Sequence, residues 1–143
     1  PGVFAAGDVA LAPDLLDDQP LMVATQLNAI RQGRVATLNI LGIPFADDGG
    51  LPLNTTHFGG VRVITCGHTG HARPEEREEI VCREGAYRRY VIRDDRLVGI
   101  TLVGDVTNAG RLVSLIQGRM PLKGKLGRVM SNTLAGFRWG ETS

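Results

Sequence analysis

Cysteine is scarce in this 143-residue sequence, aromatic residues make up 5% of it, and neither sign of charge prevails. Two cysteines, Cys66 and Cys82, cannot build a disulfide framework, so a reducing, cytoplasmic setting is the expectation. Sixteen basic residues against fifteen acidic ones leave a net charge of +1. That balance gives no global attraction to nucleic acid or to an anionic membrane. No apolar run approaches the roughly 20 residues of a membrane-crossing helix. No G-x-G-x-x-G follows a strand-like run, which excludes the usual pyrophosphate-cradling turn, and no C-x-x-C redox pair is present. What the sequence does hold is a globular balance of 43% hydrophobic and 22% charged residues, with 19 glycines. One compact domain fits this length, or one domain with a piece of another.

Val3–Ala6 is continuously apolar and ends in Gly7-Asp8. Such a short run, apolar on both faces, reads as a central strand of a covered parallel sheet. That strand needs neighbours which this sequence does not supply, so it is expected to be cut from a larger α/β domain. Residues 11–20 read as an acidic, turn-rich loop. A helix is predicted up to about Leu41, with Ala24, Leu27, Ile30, Val35, Leu38 and Leu41 as its apolar stripe. Gly33 would let something pack closely against it. Gly42 and Pro44 stop it, and 43–52 is the expected domain boundary.

Beyond the boundary, Val61–Thr65, Glu79–Arg83, Ala86–Arg93 and Leu97–Gly104 have the composition of strands joined by short polar turns. They predict an antiparallel sheet in an α+β domain. A helix follows, with Asn108 at its start, Leu112, Val113, Leu115 and Ile116 inside, and Gly118 and Pro121 at its end. After Pro121 come Lys123, Lys125 and Arg128, then a weakly helical stretch, Val129–Phe137.

These residues carry a resemblance. Val3-Phe4-Ala5-Ala6-Gly7-Asp8, with Asn28–Ala36 and Asn39 downstream, resembles the second flavin-binding motif of the pyridine nucleotide-disulfide oxidoreductase superfamily. Tyr87–Val91, Leu97-Val98-Gly99, Leu102–Asp105 and Ala109-Gly110 are similar to the C-terminal domain of one branch. That branch holds NADH–rubredoxin reductases and the flavin portion of NADH-dependent nitrite reductases. The resemblance implies FAD and NAD(P)H as cofactors of an intact parent, with electrons passed on to an acceptor. It implies that Gly7 and Asp8 meet the ribityl chain of FAD, and that Thr25, Gln26 and Leu27 open a helix aimed at the flavin's pyrimidine oxygen. The chain then divides into a piece of an FAD-binding domain (1–42), a C-terminal domain of interface or dimerisation type (43–120) and a tail (121–143). Alone, this chain is expected to hold no FAD and to be inactive. Expected partners are the remaining FAD and NAD domains, an electron carrier and a second copy of the chain; nucleic acid and membrane are not expected. The alternative is a non-catalytic dimerisation or carrier-docking module.

Cys66-Gly67-His68-Thr69-Gly70-His71 brings three possible metal ligands into one short segment. A zinc site would need a fourth, so a glycine-rich connection is the plainer reading, and the same loop could face the flavin. Arg73–Glu79 is a mixed-charge run that reads as solvated surface. Arg83, Arg88, Arg89, Arg93 and Arg96 read as outward positions of a half-exposed sheet, where an acidic carrier could dock.

Overall fold

A computed structural model describes residues 2–17 and 19–130. Its centre is a five-stranded antiparallel sheet built from β3 (Leu53–Phe58), β4 (Val61–Gly67), β5 (Arg77–Arg83), β6 (Ala86–Arg93) and β7 (Arg96–Val103), in the order β3-β4-β7-β6-β5. Tight turns explain most of that order. Gly59-Gly60 joins β3 to β4, and Asp94-Asp95 joins β6 to β7 with both aspartates in the left-handed region that matches strand twist. The β4–β5 connection is longer, so β7 returns to pair with β4 and leaves β5 at the edge.

Helix α2 (Ala109–Gln117) covers one sheet face. Its Leu112, Leu115 and Ile116 pack on Cys66, Tyr90, Ile100 and Leu102, closed at one end by Leu122 and Val129. Each such aliphatic side chain contributes about 1.5–3 kcal/mol by leaving water. The α+β antiparallel architecture is as expected, and the stripe foreseen for α2 is the one that points inward. A short α3 (Leu126–Met130) follows, while residues 131–137 of the expected last helix lie outside the described residues.

Val3–Ala6, expected to need neighbours that this sequence does not supply, forms no ladder among the described residues, and Val3 is 94% exposed. Other expectations fail on this side of the molecule. Helix α1 (Gln26–Ile40) forms where predicted, but the face it buries carries Asn28 and Gln32. Leu27 and Ile30 of its apolar stripe are each 63% exposed, and Gly33 has nothing within 4 Å of where a Cβ would stand. Periodicity locates a stripe; it does not tell whether the same chain covers it. Arg88 and Arg89 are buried, not outward. Arg88 bonds the Thr107 carbonyl at 2.6 Å, and Arg89 bonds those of Thr69 and Gly70 at 3.0 and 2.6 Å as well as Glu78, so both pin loops to the sheet.

The segment between Asp8 and α1 ties the two sides together. It forms a two-stranded ladder of β1 (Ala12–Pro13) and β2 (Pro20–Leu21), and Asp14 bridges to Gly50, just before the sheet. The Leu15 N–H donates to the Gly50 carbonyl at 2.9 Å, and the Gly50 N–H to that of Pro13 at 2.7 Å.

Candidate functional site

The first cluster lies along α1. Thr25 caps the helix in an extended conformation, its hydroxyl accepting from the Asn28 N–H at 3.4 Å. Gln26 and Leu27 form the exposed start of the first turn, which holds no acidic residue to offset the helix dipole. Gly7 sits against the second turn: its N–H donates to the side-chain oxygen of buried Gln32 at 2.7 Å. Its neighbour Asp8 is exposed. Gly7 also lies beside Ala29, which is about 4.5 Å along the helix axis from Gln26. The structure therefore seats Gly7 against the second turn of α1, one turn beyond the helix start that Gln26 and Leu27 form. Gln32 is the residue that sequence reading missed here. It stood inside the quoted motif, but its bond to Gly7 spans 25 residues and leaves no periodic trace.

The second cluster joins the loop before α1 to the loop after β4. His68 Nδ1 lies 2.5 Å from Glu76 and its Nε2 3.3 Å from Asp17. Asp17 accepts from Arg93 at 2.7 Å and from Arg73 at 2.6 Å. Burial alone would push the Asp17 carboxyl up, but the two guanidinium groups and His68 outweigh it and hold it below the usual range. Glu76 behaves likewise: burial raises it, and bonds from the Arg73 N–H and from His68 bring it below its ordinary value. Both carboxyls therefore titrate lower in the folded state than in the unfolded one. Their stabilisation is complete above about pH 4.5 and is lost as pH falls through the folded values. Urea midpoints measured from about pH 6 down to about pH 3 are expected to drop steeply in the acid half. In Asp17→Asn the drop should be shallower.

The metal reading of Cys66, His68 and His71 finds no support in this arrangement. Cys66 is sealed in the core, where burial pushes its thiol up to about 12 and keeps it unreactive. Among the described residues the one trio of potential ligands with donor atoms within 4.8 Å is Asp14, Asp17 and His68. Asp17 already spends both oxygens on arginines, and those cations disfavour a metal ion beside them.

Comparison with known proteins converges on one group. Residues 52–120 match the family described as the rubredoxin NAD+ reductase C-terminal domain. The epsilon subunit of NADH-dependent phenylglyoxylate dehydrogenase from Aromatoleum evansii is 33% identical over 140 residues, covering 93% of this chain and 32% of that protein. A FAD-dependent pyridine nucleotide-disulphide oxidoreductase from Desulfovibrio vulgaris superposes with a TM-score of 0.71 at 18% identity, over 92% of this chain and 39% of its own. NADH:rubredoxin oxidoreductase from Clostridium acetobutylicum gives 0.63 at 21% identity, over 90% and 32%. The chain thus spans about a third of the length of these relatives. Residues 52–120, which make the sheet and α2, are thus the part of the chain that matches the rubredoxin NAD+ reductase C-terminal domain family.

Proposed function

We propose that this chain forms the C-terminal part of an FAD-dependent NAD(P)H oxidoreductase. In this reading residues 2–42 complete a flavin site and the sheet domain closes over it. The observation that carries it is the placement of Gly7-Asp8 on α1 by Gln32, within about a turn of the helix start. The residues fit the group. Asp8 offers an exposed acceptor to ribityl hydroxyls, and the uncompensated first turn at Thr25, Gln26 and Leu27 favours the flavin's electron-rich pyrimidine end. The buried amide nitrogen of Gln32 has no partner among the described residues, as expected where further protein packs. FAD, when bound, accepts hydride from NAD(P)H and passes electrons to an acceptor. The chain's own part is to hold, orient and shield the cofactor.

Val3, Phe4, Leu27, Ile30, Leu41 and Phe45 are exposed as well. An uncovered set of this kind marks an interface. In our reading it receives the remainder of the flavin-binding body, while a second copy meets the chain to form a homodimer. Light scattering is expected to show that dimer, and a monomer at all concentrations would remove the second-copy element.

The site itself is tested by Asp8→Ala in the complete flavoprotein that carries this chain. Loss of one hydrogen bond of about 1–1.5 kcal/mol predicts roughly tenfold weaker FAD retention. Flavin absorbance after dialysis reads it, and retention equal to wild type would refute the role of Asp8. A complete protein that purifies without flavin would refute the oxidoreductase reading.

A further inference from the structure

Away from that site, three arginines converge on one cleft. It lies where the β6–β7 hairpin tip meets the turn after α2 and the backbone near Leu16. Arg93, Arg96, Arg119 and Asp94 line it together with Leu16, Leu97 and Val98, around about 320 Å³. Two of the guanidinium groups are held in place by the protein. Arg93 donates to Asp17 at 2.7 Å and to the Leu16 carbonyl at 2.6 Å, and Arg119 bonds the Leu15 carbonyl. Asp95, beside the cleft, is already occupied by the Lys123 N–H at 2.7 Å.

The backbone at Arg119 is a second, independent observation. α1 ends with Ile43 N–H bonded to the Leu38 carbonyl and Gly42 N–H to that of Asn39, and Gly42 takes φ +75°. α2 ends in the same motif, Met120 to Leu115 and Arg119 to Ile116, with Arg119 in the glycine position at φ +48°. An L-residue there is strained, because its Cβ crowds the following carbonyl. The strained position carries a guanidinium that closes the cleft.

We propose that this cleft binds a small phosphate-bearing molecule. Its phosphoryl oxygens would meet Arg96 and Arg119, with Arg93 behind them and its remaining body over Leu97 and Val98. Planar guanidinium forks match phosphoryl oxygens; Arg93 is already paired with Asp17, so Arg96 and Arg119 supply the charge against one lining carboxylate, Asp94, which can accept from a ligand hydroxyl or amine. This inference does not depend on the flavin reading.

The test is calorimetric titration of the whole chain with inorganic pyrophosphate at constant ionic strength. One saturable site is expected, weakened about tenfold by Arg96→Ala and by Arg119→Gly. Arg119→Gly removes the guanidinium while relieving the backbone, so its Tm should hold or rise as binding falls. Arg34→Ala, which removes the same charge from the exposed surface of α1, should bind as wild type does. No saturable binding by the wild type overturns the proposal. So does unchanged affinity in both cleft variants, or an equal loss in Arg34→Ala.

Discussion

Gly99→Ala is expected to cost about 3 kcal/mol or more and to leave little folded protein in moderate urea. Gly99 lies on β7, between Gly67 of β4 and Val91 of β6. A Cβ there would land on the carbonyl oxygen of His68 and stand 2.8 Å from its carbon, a backbone collision that no rotamer change relieves. The two strands would have to part where the His68 N–H donates to the Val98 carbonyl at 2.9 Å. Because Cys66, Tyr90 and Ile100 are packed just beyond, parting the strands also opens the core. Gly33→Ala is the contrasting substitution. With open space at its Cβ position and a helical backbone, it should add about 0.5–1 kcal/mol. Urea midpoints of the two variants should therefore move in opposite directions from wild type. Equal midpoints for Gly99→Ala and wild type would mean that the β4–β7 contact is not as described.

Which of these features the sequence discloses depends on how local their causes are. β6 lies at the predicted residues and β7 within one residue of them, because β-rich runs flank an Asp-Asp turn and every determinant lies within about 20 positions. α2 is equally readable, since its inward stripe is also its apolar stripe. β3 was missed. Leu53-Asn54-Thr55-Thr56-His57-Phe58 is mostly polar and lies at an exposed edge, and the one available signal was the Gly59-Gly60 turn behind it. On α1 the helix is legible but its buried face is not, because Asn28 and Gln32 are chosen by hydrogen bonds to Val23 and Gly7 rather than by apolar periodicity. The Gly7-Asp8 motif is visible in sequence; the clamp that seats it is not. The Asp17–His68–Glu76–Arg93 cluster is less visible still, since it joins residues as much as 76 positions apart.

That cluster carries the other large effect. Asp17→Ala removes the acceptor shared by Arg93 and Arg73, which also lies 3.3 Å from His68, and should destabilise the protein by about 2–3 kcal/mol. Most of the loss should come from Arg93, whose side chain is 18% exposed and loses its nearer carboxylate, keeping Glu76 at 3.9 Å. Arg73 is 47% exposed, so water replaces its partner, and Arg73→Ala should cost under about 1 kcal/mol. A double-mutant cycle should accordingly give a larger coupling for Asp17 with Arg93 than with Arg73. The loss should also appear locally before the whole fold gives way. Asp17 anchors the segment that runs from Asp8 to α1, and that segment meets the sheet domain through Leu15 and Gly50. Hydrogen exchange is therefore expected to accelerate first at Leu15 and Gly50 in Asp17→Ala, with Tyr90 and Ile100 changing only with global stability. If the flavin reading holds, this is the joint between the cofactor-facing residues and the sheet. Uniform acceleration across both groups would show that Asp17 supports the core as a whole and anchors no separate segment.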